Sequence, residues 1–160
     1  MPLSQSKLAD ELKAMVPAAT EPPAILALVT AYGNYAADTM GAGIPITPAG
    51  VSLGKNAMTG ALTGMSAPGM GITAIPNSLI AFWGAVCSAA AVSFPGTITG
   101  SPPPQATLIA GFAALMPVNT AAGLSLDDSA AAIAVLWHIN AVTGGTVTLI
   151  GPPPVPGPIL

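Results

Sequence analysis

Four side chains in this sequence are the first candidates for catalysis or metal binding. They are the only histidine, His138, the only cysteine, Cys87, and the adjacent aspartates Asp127 and Asp128. One histidine excludes a metal site built from several, and Cys87 has no second cysteine with which to share a metal or a disulfide. His138 follows Trp137 on a predicted helix, and Cys87 lies among apolar residues. We therefore predict a structural, hydrogen-bonded histidine and a buried thiol that packs as a small apolar group.

Asp127 and Asp128 are explained by the start of a helix. Ser125, with Asp128 three residues later, is close to a capping box, in which the two side chains satisfy free backbone N–H groups. Both carboxylates also complement the positive end of the helix dipole. A metal site or a pair of catalytic carboxylates is not needed to account for them.

The remaining candidate motifs also favour structural roles. Trp83 and Trp137 stand at helical spacing, which is typical of core or interface anchors. The glycine-rich stretches 41–43 and 69–71 read as loops, because no strand precedes them and no basic residue follows to hold a phosphate. The sequence therefore predicts no catalytic residue, no cofactor-binding residue, no metal ligand and no enzyme activity.

Charge is scarce along the whole chain. Residues 57–126 and 129–160 contain no Asp, Glu, Lys or Arg, and charged residues make up 6% of the 160, against roughly 25% in an ordinary soluble domain. Mean hydropathy is +0.71. Such a surface needs a cover of lipid or of other protein. The three basic residues do not cluster, so nucleic acid is not expected as a direct partner.

Proline and glycine divide the chain into six predicted helices. They run from Ser6 to Val16, from Thr20 to the glycines at 41 and 43, from Thr47 to Met65, from Asn77 to the break at 94–96, from the prolines at 102–104 to Pro117, and from Ser125 to Gly144. A flexible connector is expected over 66–76. The predicted fold is all-α, a compact bundle of about five to six helices with roughly half of the residues helical.

The helical stripes also predict which residues form the core. The first helix carries Leu8, Leu12, Met15 and Val16 on one side. The large residues expected in the core are Leu12, Ile25, Leu28, Tyr32, Phe82, Trp83, Val86, Leu108, Phe112, Leu115, Ile133, Leu136 and Trp137. Glycines at 50, 54, 60 and 64 weaken the third helix, but their four-residue spacing would let a neighbour approach closely.

The C-terminal residues have a different pattern. Residues 146–150 alternate and are β-branched, which predicts a short strand or extended segment, and at most a short two-stranded element is expected. Residues 151–160 contain prolines that cannot donate backbone hydrogen bonds, so they are expected to form an extended, polyproline-like arm. The predicted organisation is a single helical domain over 1–150 and a proline-rich arm over 151–160.

Lipid explains the low charge less well than protein does. The longest charge-free helix, Ser78 to Phe94, falls just short of the ~20 residues that cross a bilayer, and many of its side chains are small. No Lys or Arg flanks this segment or its neighbours, so the positive-inside signal is missing. A surface covered by other subunits accounts for the small side chains, the low charge and the extended arm together.

The pattern also resembles a known class of proteins. The stretches Leu8 with Leu12, Tyr32 to Ala37, Ala81 to Trp83, Phe94 to Gly96 and Gly151 to Pro154 are similar to those of small Ala- and Gly-rich structural proteins of tailed bacteriophages and phage-tail-like particles. The resemblance spans most of the chain and is compositional. It implies a component of a virion and assigns no role to any single residue.

Three functions from different classes remain at this point. The expected one is a non-catalytic structural subunit of a multi-copy assembly, a phage virion or phage-tail-like particle. Its partners would be copies of itself and other structural proteins of the particle, and its proline-rich arm would contact a neighbour. The first alternative is a small membrane-embedded helical protein, such as a channel or lysis factor. The second is an adaptor that binds a defined partner through the arm.

Overall fold

The chain is mainly helical. The computed structural model describes residues 3–16, 18–38, 40, 41, 44, 45, 48–63, 71–93, 98–101, 106, 110, 111, 113–115, 125–144, 146–149 and 155–158. Its helices with defined bounds are α1 (Gln5–Lys13), α2 (Glu21–Ala36), α3 (Pro48–Leu62), α4 (Gly71–Ser93) and α5 (Leu126–Gly144). Residues 106, 110, 111 and 113–115 are helical as well. The mainly helical fold with six helical segments is thus confirmed over these residues.

Helix α1 ends earlier than predicted. Ser4 caps its start by accepting a hydrogen bond from the Lys7 amide, and Ala14 closes its end with a 3.0 Å hydrogen bond from its N–H to the Asp10 carbonyl. Val16 lies beyond the helix and is 78% exposed, so its place on the buried stripe was wrong. The physical reason is Pro17, because a residue that precedes proline is disfavoured in helical geometry.

Helix α4 begins earlier than predicted. It starts at Gly71 and contains Pro76, so the expected connector over 66–76 is wrong for residues 71–76. Proline removes one backbone hydrogen bond and was therefore expected to end the segment. Pro76 is itself buried, as is Leu79, and the Ser78 hydroxyl donates to the Ile75 carbonyl at 2.7 Å. Packing of the first turns against the core outweighs the lost hydrogen bond.

Short strands complete the described chain. Strands β1 (Met40–Gly41) and β2 (Ile44–Pro45) pair antiparallel, and β3 (Ile98–Ser101), β4 (Thr146–Leu149) and β5 (Val155–Pro158) form an antiparallel sheet in the order β3–β4–β5. The expectation of at most a two-stranded element was wrong. Residues far apart in sequence, such as Ile98 and Leu149, are partners in this sheet, and no local pattern encodes such pairing. The prolines of β5 lie on an edge strand, where the sheet tolerates them.

The helices enclose one hydrophobic core. Contacts run from α1 to α2 and α5, from α2 to α3, and most extensively from α3 to α4. Of the predicted core residues, Tyr32, Phe82, Trp83, Val86 and Trp137 are buried, and Leu12, Ile25, Leu28, Ile133 and Leu136 are partly buried against them. Leu115 is half-buried, whereas Leu108 and Phe112 lie outside the described residues. Leu8, Tyr35, Met58 and Leu79 belong to the core but were not among the predicted residues.

The close packing of α3 on α4 depends on one of the four predicted glycines. A Cβ atom at Gly54 would lie 2.8 Å from a Val86 methyl and 2.9 Å from the Phe82 ring. A Cβ atom at Gly60 meets nothing within 4 Å. Residue 64 lies outside the described residues. The glycine spacing therefore matters at Gly54, where buried side chains of α4, rather than its backbone, make the close approach.

Gly54→Ala and Gly60→Ala form a matched pair that tests this contact. The added methyl at 54 forces α3 away from Phe82 and Val86, so we expect a loss of about 1–3 kcal/mol in the free energy of unfolding. The same change at 60 should raise that free energy by about 0.5–1 kcal/mol, because alanine favours helix over glycine. Urea unfolding followed by circular dichroism measures both. Equal effects at the two positions would contradict the packing described here.

Candidate functional site

Four aromatic side chains of the core surround the Tyr32 ring. The Tyr32 ring lies 5.1 Å from Phe82 and 5.4 Å from Tyr35, measured between ring centroids. Trp137 and Trp83 follow at 5.9 Å and 6.2 Å, both edge-on. Tyr32 thereby joins α2 to α4 and α5. Each such pair contributes about 0.5–1.5 kcal/mol beyond the burial of its surface.

Tyr32 and Trp83 are joined by a hydrogen bond inside this cluster. The Trp83 indole donates from Nε1 to the Tyr32 hydroxyl at 2.8 Å, and the bond is buried. Burial raises the pKa of Tyr32 far above its usual range, although the hydrogen bond from Trp83 works in the opposite direction. Tyr32 is therefore a neutral phenol at physiological pH. It holds α2 to α4 and offers no reactive oxyanion.

His138 reaches the same cluster through Tyr35. The Tyr35 hydroxyl and His138 Nδ1 lie 3.0 Å apart, and the two rings meet edge-on with centroids 6.1 Å apart. Burial raises the pKa of Tyr35 and lowers the pKa of half-buried His138. A neutral imidazole that carries its proton on Nε2 accepts at Nδ1 a hydrogen bond from the Tyr35 hydroxyl. The hydrogen-bonded role predicted for His138 is confirmed, and its partner is new.

Cys87 lies on α4 and is buried among core residues. Burial raises the pKa of its thiol to about 11, so the thiol is neutral near pH 7. Because the thiolate is the nucleophilic form of cysteine, this site does not activate Cys87. The predicted role as a small buried apolar group is confirmed.

The aspartates occupy the start of α5 as predicted. The Ser125 hydroxyl accepts from the Asp128 amide at 3.1 Å, which confirms Ser125 as the helix cap. The Asp128 carboxylate accepts at Oδ2 from the Ser125 hydroxyl at 2.7 Å, where a capping box has a bond to the backbone N–H. Asp127 lies in the first turn of α5. Among the described residues, no group of three or more His, Cys, Asp or Glu side chains is placed to hold a metal ion.

Most of the described charged residues lie on or beside α1. Lys7 Nζ lies 2.7 Å from Asp38 Oδ2, and this hydrogen bond holds the pKa of Asp38 below its usual range. Asn34 donates to Glu11 Oε2 at 2.9 Å. These contacts tie α1 to the C-terminal part of α2 at the protein surface. They fix the position of a helix and bring no catalytic groups together.

Two open grooves on the described chain are lined mainly by apolar side chains. An open groove of about 620 Å³ lies between the end of α1 and one side of α2. We call that side, made of Pro23, Leu26, Ala27 and Thr30, the outer face of α2. These residues recur at three- and four-residue steps and lie opposite the buried Tyr32. Leu26 is 66% exposed.

Further apolar surface continues beside this groove and elsewhere. A second groove of about 380 Å³ shares Ala18 and Ala19 with the first and is closed by Leu62 and Ile75. On α5, Val135 and the half-exposed Ile139 stand one helical turn apart on the surface. The described chain thus presents large apolar side chains on more than one helix.

Sequence reasoning missed two of these features. The bond between Tyr35 and His138 joins residues 103 positions apart, and no local periodicity signals it. The outer face of α2 had a visible signal, since Leu26 and Ala27 lie off the stripe that Ile25, Leu28, Val29 and Tyr32 form. A helix that is apolar on all sides is either buried or in contact with a partner, and this signal was not used.

Tyr32→Phe tests the bond inside the cluster. The change leaves the buried Trp83 N–H without its acceptor, so we expect the free energy of unfolding to fall by about 1–3 kcal/mol. In a Trp83→Phe background the Tyr32 hydroxyl is the unpaired group, and its removal should be neutral or stabilising. Urea unfolding of the four proteins gives the coupling between the two positions. A coupling of zero would show that the hydrogen bond adds nothing.

None of the helices in the described part of the chain combines the length and the apolar character that a membrane span requires. Comparison of the chain with family models, with curated proteins and with solved structures finds no match.

Proposed function

We propose that this protein is a non-catalytic structural subunit of a multi-copy protein assembly. The observation that carries the proposal is the apolar outer face of α2, where Leu26 is 66% exposed beside an open groove. Isolated exposed apolar residues are common, but an apolar face along a groove is typical of an interaction surface. Contact with a neighbouring subunit would remove this face from water.

The composition of α2 supports a protein cover. Its sequence from Glu21 to Ala36 contains a single charged residue, Glu21, at the N-terminal end. A neighbour that packs along the middle of the helix would therefore bury no unpaired charge on α2, which otherwise costs several kcal/mol. Thr30 and Asn34 are the polar residues on this side, and Asn34 already bonds to Glu11.

The exposed pair on α5 offers a second contact area. Val135 and Ile139 lie one turn apart, and residues four positions apart on a helix face the same way. A subunit with two separate apolar areas can contact two neighbours, as assembly into a closed ring or a lattice requires. Copies of the chain and other structural proteins of the same particle are the proposed partners.

The particle that we propose is a phage virion or a phage-tail-like particle. The compositional resemblance to small Ala- and Gly-rich structural proteins of that class supports it. The neutral Cys87 thiol and the engagement of His138 with Tyr35 support a subunit without catalytic activity. A role in assembly accounts for the low charge and the exposed apolar residues together.

Leu26→Glu tests the proposed contact. Leu26 is exposed in the subunit, so the new carboxylate should leave the helical fold intact. In an assembly it would be buried without a partner, and we expect assembly to weaken by at least about tenfold, the factor that corresponds to 1.4 kcal/mol. Sedimentation of the full chain without detergent measures the particle fraction, and circular dichroism measures the fold.

Gln5→Glu is the matched control, because it adds the same charge at an exposed position on α1. It should sediment like the unchanged chain. If Leu26→Glu assembles as well as Gln5→Glu, the outer face of α2 is not a subunit contact. A chain that sediments only as a small species, or that is recovered only in lipid, would overturn the proposed assembly and favour the adaptor or the membrane protein.

Deletion of residues 151–160 tests the proposed role of the arm. Residues 155–158 pair with β4 in the described chain, at the edge of the sheet, where the outer side of β5 can face a neighbour. We expect the truncated chain to keep its helical circular dichroism, because the core residues all precede position 151, and to enter particles less well. Unchanged incorporation in a co-sedimentation assay would remove the arm from the proposal.

A further inference from the structure

The hydrogen bond between Tyr35 and His138 links α2 to α5 at a group that can change its charge. Tyr35 is fully buried, and its hydroxyl lies 3.0 Å from His138 Nδ1. Among the described residues, His138 is the only hydrogen-bond partner of that hydroxyl. Each partner therefore depends on the other. The Tyr35 hydroxyl donates a hydrogen bond to Nδ1 of the neutral imidazole, and no other acceptor for it is found among the described residues.

Among the described residues, no charged group faces His138 in a way that would stabilise an imidazolium. From α2 the titratable group that faces it is Tyr35, a neutral phenol. Strand β5, which also contacts α5, contains no titratable residue. Helix α1 makes the most extensive contact with α5, so its charged residues must also be considered.

The titratable residues of α1 are engaged elsewhere or exposed. Lys7 pairs with Asp38, and Glu11 accepts from Asn34. Asp10 and Lys13 are exposed to solvent. Burial lowers the pKa of His138. No carboxylate of α1, α2 or β5 in the described part of the chain therefore compensates for a positive charge on this ring.

We propose that the Tyr35–His138 bond is an acid-sensitive joint, and that protonation of His138 loosens α5 from α2. The added proton occupies Nδ1, which turns the acceptor into a donor. Nδ1–H then points at the Tyr35 oxygen, and the phenol hydrogen loses its acceptor inside the core. A buried donor without a partner and a partly desolvated charge both destabilise the contact.

The direction of the pH dependence follows from the lowered pKa of His138 in the folded chain. The unfolded chain then binds more protons than the folded chain as the pH falls through the ordinary histidine range, near 6.5. Stability is full above that range and is lost as the pH drops toward the folded-state pKa. With one such group, the unfolding equilibrium constant rises by at most tenfold per pH unit.

The sequence allows the titration of His138 to be measured without interference from other histidines. His138 is the only histidine, and histidine is the side chain that ordinarily titrates between pH 5 and 7. Deuterium exchange at the imidazole C2 position, followed by mass spectrometry of the full chain between pH 4.5 and 8, gives its pKa at any particle size. We expect a lower value in buffer than in denaturing urea.

Two variants distinguish the effect of the Tyr35–His138 hydrogen bond from the effect of burying His138. His138→Asn places an amide oxygen near the position of Nδ1, so it accepts from Tyr35 and does not titrate. Its urea unfolding should be independent of pH between 7 and 5, while the unchanged chain loses stability. Tyr35→Phe removes the donor that favours neutral His138, so the pKa of His138 should rise relative to the unchanged chain.

Each of these results can overturn the proposal. A His138 pKa that is equal or higher in buffer than in urea would mean that protonation does not oppose folding. Loss of stability in His138→Asn over the same pH range would assign the effect to other groups. An unchanged His138 pKa in Tyr35→Phe would show that burial alone sets it and that the bond to Tyr35 is not the joint.

Discussion

The burial of Tyr32 together with its hydroxyl is the constraint on which the rest of this fold depends. The ring contacts residues of α4 and α5, and its hydroxyl accepts from Trp83 at 2.8 Å inside the core. In a chain rich in Ala and Gly, most helical surfaces can slide past one another with little change in buried area. One satisfied polar pair and a set of edge-on rings favour this arrangement, because separating Trp83 from Tyr32 inside the core would leave a buried donor without its acceptor.

The same arrangement decides where the few charged residues lie. Those on or beside α1 pair near the C-terminal part of α2, as Lys7 does with Asp38. The lack of a side chain at Gly54 lets α3 pack closely against Phe82 and Val86 of α4. The middle of α2 and the exposed side of α5 around Val135 and Ile139 contain no charged residue. The apolar core and the sparsely charged surface both follow from the low content of charged residues in the chain.

Much of the helical architecture was predictable from local pattern, because proline and glycine breaks and apolar periodicity involve residues close together in the sequence. The capping at Ser125 and the burial of Tyr32 and Trp137 followed from spacing alone. The start of α4 did not, since the cost of Pro76 is local whereas the packing that offsets it is tertiary. Pairing of β3 with β4 and the approach of Tyr35 to His138 join distant residues. Side-chain periodicity contains no information about which distant residues meet.

The crowding of aromatic rings also determines how the protein emits light. The chain has two tyrosines and two tryptophans, and all four belong to the buried core. Tyr32 stands 5.9 Å and 6.2 Å from the two indoles, with Tyr35 5.4 Å from Tyr32. At such separations an excited phenol passes its energy to an indole before it emits. The folded chain therefore emits almost entirely tryptophan fluorescence. A rise in tyrosine fluorescence indicates that its helices have separated.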